Sequence, residues 1–348
     1  MSWDLTVEQQ LPYRTTFTVA YVGNRGLRLP IFVDTNVDPS SAVTRTYAFL
    51  PGGTGTPQTI QLPYYTARLS TNSGSILAGF SDVNSNYHSL VFTVRKPISH
   101  GLEVLANYTW AKAMDGGQVS GVNGTFNGTD IPFDPFARGH RSGRSAEYAR
   151  SDLDERTRLV VSVVAQPTID KLVSNKLARY ALNGFIISGT ATAQDGQPLT
   201  GFMGSAPSST IGDGGLTGAE VSLFNSGTNG RVPDQIARRN QFTGPGVHNV
   251  DARISRTFPF HERYRVEIFA EAFNVLNHKN ILGVNTTLYT YVTNGSAYNG
   301  GTCAAASTGI NGCIVPLATS SAPFASTNNT SSVLYGSRQI QLTGKLYF

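Results

Sequence analysis

No stretch of this sequence runs for the roughly 18 apolar residues that a membrane-crossing helix needs, so a helical span is excluded. Charge is scarce: Asp, Glu, Lys and Arg make up 14% of the chain, well below the roughly 25% of soluble domains. The formal net charge is +5, but the basic residues are scattered among Asp and Glu and form no stripe, which argues against a nucleic-acid partner. The first residues, Met1-Ser-Trp-Asp-Leu5, are already strand-like and lack a charged segment followed by an apolar one. An exported protein that begins this way is expected to be a fragment, or to lack its true N-terminus. The six histidines fall in different segments, and no His-x-x-x-His or Cys-x-x-Cys spacing exists to hold a metal. A Gly-x-Ser-x-Gly elbow, a phosphate-binding loop and a dinucleotide fingerprint are missing too. These gaps point away from an enzyme and give no reason to expect a cofactor.

What the chain does have is 36 Gly, 18 Phe and 15 Tyr, with Ser, Thr and Asn crowded into the same stretches as the glycines. That mixture favours strands joined by polar loops. The clearest pattern lies between Val247 and Leu276. Val250, Ala252 and Ile254 share one face of a first strand, with Asn249, Asp251, Arg253 and Ser255 on the other. After a turn at residues 258–263, Val266, Ile268, Ala270 and Ala272 alternate with Arg265, Glu267, Phe269 and Glu271. Successive strand side chains point to opposite faces, so period two means one apolar and one charged face. A soluble sandwich could turn that charged face to water, whereas a membrane barrel would turn it to its lumen and its apolar face to lipid.

The order of the connections separates the two. A hairpin turns at Pro12-Tyr13-Arg14, with Trp3, Leu5, Val7 and Leu11 on one face of its first strand and Phe17, Val19 and Tyr21 on one face of its second. From about Leu27 to Ser85 the periodicity fades, with one or two short strands near Tyr47 and Tyr64. A second hairpin (NYHSLVFTVRK, then GLEVLANYTWAKAMD) turns between Pro97 and Gly101 and is followed by an irregular stretch from Asp115 to about Glu155. A third pair, RTRLVVSVVAQP and LNGFIISGTATAQDGQP, is joined by a short polar linker near Asp170–Lys176, and a long polar stretch follows from Gly196 to Gly246. The 247–276 hairpin is the fourth, and beyond Asn280 a further long stretch leads to one last strand. Short turns thus alternate with long loops, which places every long loop on one side. Soluble domains seldom carry several structureless loops longer than about 15 residues. Outer-membrane barrels pair short periplasmic turns with long extracellular loops. Aromatics near strand ends (Trp3, Tyr13, Tyr21, Tyr108, Trp110, Phe258, Phe260, Tyr264, Tyr347) suit an interfacial belt, or simply the β-propensity of such residues.

The last strand, RQIQLTGKLYF, sets Ile340, Leu342, Gly344, Leu346 and Phe348 on one face. Ending on an alternating strand with a terminal aromatic is similar to the assembly signal of bacterial outer-membrane barrels, and it implies barrel assembly machinery as a partner. The candidate site is the charged wall of Asp251, Arg253, Arg265, Glu267 and Glu271. It could bind a solute in the lumen, or its opposite charges could simply pair across strands. A loose basic segment (Arg138, Arg141, Arg144, Arg150, Arg156, Arg158) could meet an anionic lipid or solute, or be balanced by Asp152, Asp154 and Glu155. Asn-Gly-Thr triplets at Asn123 and Asn127 read as turn chemistry. Cys303 and Cys313, ten apart in a small-residue loop, could form a local disulfide in an oxidising compartment or remain two free thiols.

In succession, NYHSLVFTVRKPISHGLEVLANYTWAKAMD, DLDERTRLVVSVV, GPGVHNVDARISRTF, RYRVEIFAEAFNVLNHKN and RQIQLTGKLYF resemble the Oar-like TonB-dependent receptors. The piece from Asn274 to His278 is the most specific. The resemblance implies an antiparallel transmembrane β-barrel in the bacterial outer membrane, in contact with outer-membrane lipid. Residues 1–348 would then be the C-terminal part of that barrel, holding about ten to fourteen strands. It also implies ligand capture and uptake. The family's signal peptide, coupling box, plug and regulatory domain are not seen in this sequence, so any TonB contact is expected only through a missing N-terminal part. A non-transporting structural or adhesive barrel and a soluble β-sandwich binding module are the two alternatives.

Overall fold

The computed structural model describes residues 1–36, 38–73, 76–116, 148–168, 175, 179, 183–204, 232, 236–260, 264–303, 309–317, 323–329 and 336–348. Nine long strands make the frame: β1 (Ser2–Leu11), β2 (Thr15–Asp34), β3 (Leu77–Ser99), β4 (Leu102–Asp115), β5 (Thr157–Ala165), β6 (Phe185–Gln194), β7 (Val247–Phe260), β8 (Tyr264–Phe273) and β9 (Gln339–Tyr347). They pair in chain order, all antiparallel, and a two-residue strand at Ala149–Arg150 adds to β4, making a ten-stranded sheet. Among the described residues β1 and β9 are its two edges and do not pair with each other.

The registers carry each strand's alternation across the whole sheet. Leu5 lies opposite Tyr21, Tyr21 opposite Leu90, Leu90 opposite Trp110 and Trp110 opposite Thr157. At the other edge Ile254 lies opposite Ile187 and Ala270, and Ala270 opposite Leu342. The result is one apolar face nine strands wide. Asp4, Glu8, Glu103, Asp251, Glu267 and Glu271 all fall on the opposite face, which we call the polar face. No second sheet covers the apolar face among the described residues: Leu5 is 66% exposed, Ile268 54% and Leu342 80%. A sandwich would have buried those side chains against a partner sheet, so the soluble alternative does not describe this chain.

Two turns show how the short end is made. His100 and Gly101 both have positive φ (53° and 75°) and join Ser99 to Leu102 as a two-residue hairpin loop, the geometry that matches strand twist. Tyr13 (φ 62°) and Arg14 (φ 61°) close the first turn, where Thr15 N–H donates to Pro12 O at 3.3 Å. Tyr13 meets the His100 ring edge-on at 5.9 Å, so the two turns touch.

The long connections differ from the sequence reading in three ways. First, β2 and β3 stay paired out to Asp34 and Leu77 through two register shifts, so much of the stretch from Leu27 to Ser85 is strand. The bulges there hide the period-two pattern from a reader of one strand. Second, the β5–β6 connection spans residues 166–184 and is not a short linker. Third, three long connections contribute to one further five-stranded sheet. Its order is Phe202–Met203, Thr287–Val292, Cys313–Pro316, Ala42–Phe49 and Gln58–Tyr65, with parallel pairing at the first and third junctions. Ala42–Phe49 comes from near one edge of the main sheet, and Cys313–Pro316 from the connection into β9 at the other. The long-connection end is therefore bridged from edge to edge by a cap. Among the described residues the apolar clusters sit in and against this cap: Tyr47, Phe49, Met203, Val232, Ala237 and Ile314 in one, and Ala48, Leu50, Cys303, Cys313 and Val315 in the other.

Candidate functional site

The polar face of β7, β8 and β9 carries the candidate wall. Register puts Arg253 opposite Glu271 and Thr257 opposite Glu267, while β9 brings Gln341 opposite Glu271 and Lys345 opposite Glu267. Arg253 is therefore central: its Nη2 donates to Glu267 Oε1 at 2.7 Å and its Nη1 reaches Glu271 Oε1 at 3.4 Å. The guanidinium lies 3.8 Å from the centre of the Phe269 ring, and Lys345 Nζ lies 5.3 Å from the same centre. Tyr347 donates its hydroxyl to Glu267 Oε2 at 2.8 Å, and Gln341 donates to Glu271. Each carboxylate thus has a cation on one side and a neutral donor on the other.

Of the five sequence candidates, the structure brings Arg253, Glu267 and Glu271 into direct contact. Asp251 stands apart from the arginine. It accepts from Asn249 Nδ2 at 2.9 Å and from the backbone N–H of Asn274 at 2.8 Å, fixing the end of β8. Arg265 stacks over Tyr347 at 5.9 Å. Sequence alone missed Gln341, Lys345 and Tyr347, because only the β8–β9 register brings them to the wall. Beside it lies an open cleft of about 320 Å³ lined by Ser162, Ser188, Thr190, Asp251, Arg253 and Glu271. Hydroxyls and both charge signs meet there, which suits a polar solute with several hydrogen-bonding groups. Among the described residues no cluster of His, Cys, Asp or Glu has the shape of a metal site.

A second polar cluster holds the base of the long connections. Asp154 is fully buried and accepts from Ala113 N–H at 2.6 Å, from Arg150 Nε at 2.8 Å and from Arg156 Nε at 2.8 Å. Burial alone would raise its pKa. The Ala113 N–H and the two guanidiniums outweigh that and hold the carboxyl below its ordinary value. Arg239, from the β6–β7 connection, reaches over to β4, where it bonds both the side chain and the carbonyl of Asp115 and lies 3.5 Å from Asp152. Asn240 donates to the Arg150 carbonyl at 2.7 Å and to the Asp152 carboxylate. Within the basic segment, Arg150 and Arg156 serve this cluster, while Arg138, Arg141 and Arg144 lie outside the described residues, as do Asn123 and Asn127.

In the cap, Cys303 and Cys313 form a disulfide with Cα atoms 5.7 Å apart, buried against Ala48, Leu50 and Val315. Burial raises the Tyr289 phenol pKa in the same sheet. On β9, Ile340, Leu342, Gly344 and Leu346 share the apolar face, and Phe348 follows the strand, 89% exposed.

The family described as outer membrane beta barrel domain matches residues 1–341. No curated protein matches the sequence. Among solved structures, the chain is similar to the outer membrane transporter YddB from Escherichia coli, at 10% identity and a TM-score of 0.43. That match covers 82% of this chain and 29% of the transporter, so the chain spans less than a third of that protein's length.

Proposed function

From the premise that this chain belongs to the outer membrane beta barrel domain family and resides in the bacterial outer membrane, we propose that it is the C-terminal part of the barrel of an Oar-like TonB-dependent receptor, capturing ligand for uptake. One observation carries this reading. Segments from three long connections fold into a single extracellular sheet at the mouth of a sheet whose polar face holds a charge-paired wall and a hydroxyl-lined cleft. Hydroxyls and charges of both signs lining an open cleft below that mouth suit the path of a polar solute. Uncharged donors flanking each carboxylate (Tyr347 on Glu267, Gln341 on Glu271) let the wall exchange partners with a passing polar solute without stranding a charge. The barrel's role is to bind and line the path. Energised passage belongs to a plug and a coupling segment elsewhere in such receptors.

The cap favours a second reading, an adhesive or structural barrel, because a disulfide-bonded sheet outside the membrane is also a contact surface. One experiment separates the two. The whole gene product is made in cells with and without a functional TonB system, and accumulation of labelled oligosaccharides, peptides and ferric siderophores is followed. TonB-dependent accumulation of one class is the expected result. Binding without accumulation in either strain would leave adhesion as the function.

A further inference from the structure

The apolar face changes chemistry in one step toward its extracellular end. On β4 it runs Leu102, Val104, Ala106, Tyr108, Trp110 and then Lys112, and on β2 it runs Phe17, Val19, Tyr21, Gly23 and then Arg25. On β3 it runs Val94, Phe92, Leu90 and then His88. Lys112 and His88 are direct cross-strand partners, His88 also sits opposite Gly23, and Arg25 is one alternation further out. The aromatic row below them is ordered. Tyr21 and His88 share a 2.8 Å hydrogen bond between the phenol oxygen and Nδ1, and their rings stack at 6.2 Å. The Trp3 indole lies against Gly23, where any side chain would collide with it (2.2 Å to Nε1), and its ring centre is 6.1 Å from that of His88. From Leu102 to Trp110 the strand covers about 27 Å, or a little over 20 Å along the membrane normal once tilted by about 40°. The belt and its cations therefore lie at the outer interface.

The carboxylates of β1 and of the inner end of β4, Asp4, Glu8 and Glu103, are on the polar face. Beyond Trp110 the register carries Glu155 to the position opposite Lys112, but Glu155 accepts from Gln194 and the next carboxylate, Asp195, from Thr157 Oγ1, and among the described residues neither Arg25 nor Lys112 makes a salt bridge. The cations at the periplasmic end of the same face are engaged by their own chain. Lys96 donates to Ser99 O, Ser99 Oγ and Leu102 O, and Arg256 lies over Phe185 and Phe258. A pair of cations left facing the interface, above an ordered aromatic shelf, calls for anions in the adjoining leaflet.

We propose that Arg25, His88 and Lys112 form a binding site for the phosphate groups of the phosphorylated glycolipid of the outer leaflet, lipopolysaccharide, with Trp3, Tyr21 and Trp110 packing its acyl-chain roots. This site is separate from the wall and does not depend on the transport reading.

The test uses the whole gene product purified from outer membranes in mild detergent. Lipopolysaccharide retained per protein is compared between wild type, Arg25→Gln/Lys112→Gln and the loop variant Lys279→Gln. Two interfacial cations give an expected loss of about tenfold or more in the double variant, with Lys279→Gln unchanged. If the double variant fails to reach the membrane, wild type decides alone: titrated with lipid A before and after phosphatase treatment, it should bind the dephosphorylated form about tenfold more weakly. Equal retention by the double variant, equal affinity for both lipid A forms, or preference for phosphatidylglycerol over lipid A would each overturn the proposal.

Discussion

Gly101 shows how single positions set the short-turn end. Its φ of +75° is one that side chains rarely adopt, and a Cβ there would stand 2.4 Å from the Gln166 carbonyl oxygen. The Gln166 N–H donates back to Gly101 O at 2.6 Å, so the approach is held from both sides. Gly101→Ala should destabilise the folded protein by at least about 1–2 kcal/mol from the backbone alone, read as a lower midpoint in urea. Arg253 presents the opposite case, since its neighbours matter more than its own conformation. Arg253→Gln leaves Glu267 and Glu271, four residues apart on the same face of β8, without their shared cation. Adding Glu267→Gln and Glu271→Gln should recover most of the loss, because neutral groups there escape the like-charge repulsion. Thermal melts of the single and triple variants check this. If the triple variant is the least stable, the wall is not a charge-balanced unit.

Legibility followed the distance over which a pattern acts. The β7–β8 alternation needs only neighbours in sequence, so its faces and the residues 250–272 on them could be read directly. The cap could not. Its strands pair across connections far apart in the chain, two of its junctions are parallel, and Phe202–Met203 is too short to show a period. Asp154 was hidden for a similar reason: among so many loop residues nothing marks it as the one that Ala113, Arg150 and Arg156 converge on. Its depressed pKa gives a signed prediction at this scale. The stabilisation from its charged form is complete above the ordinary carboxylate pKa of 3.8 and is lost as pH falls through the lower folded value. Extracellular protease should therefore cut near residues 150–156 faster at pH 3 than at pH 6. Asp154→Asn should cut quickly at both, since breaking such a buried pair costs about 3 kcal/mol. The disulfide belongs to this scale too. Closing the loop from Cys303 to Cys313 is worth about 3 kcal/mol of chain entropy. Cys303→Ser/Cys313→Ser should make the cap protease-sensitive while leaving the main sheet's folding unchanged.

At the scale of the molecule, the chain inverts the usual placement of apolar residues. Among the described residues its apolar clusters are in a cap outside the membrane, while nine strands of apolar side chains face outward with nothing on them. Lipid is the only solvent in which that face is stable, and in lipid every backbone N–H and C=O must find a partner within protein. The edges β1 and β9, unpaired among the described residues, therefore need strand partners in a bilayer, from each other or from further strands. The two faces should respond to charge in opposite ways. Ile254 sits mid-strand on the apolar face, opposite Ile187 and Ala270, and Ile254→Arg should cost about 2–4 kcal/mol, the depth-dependent penalty at the midplane. Thr190, next to Asp251 on the polar face, can take an arginine beside a carboxylate, and Thr190→Arg should leave folding nearly intact. Folding titrations into lipid vesicles measure both. Equal penalties would mean that the two faces see the same solvent, and the assignment of apolar side to lipid and polar side to lumen would fail with it.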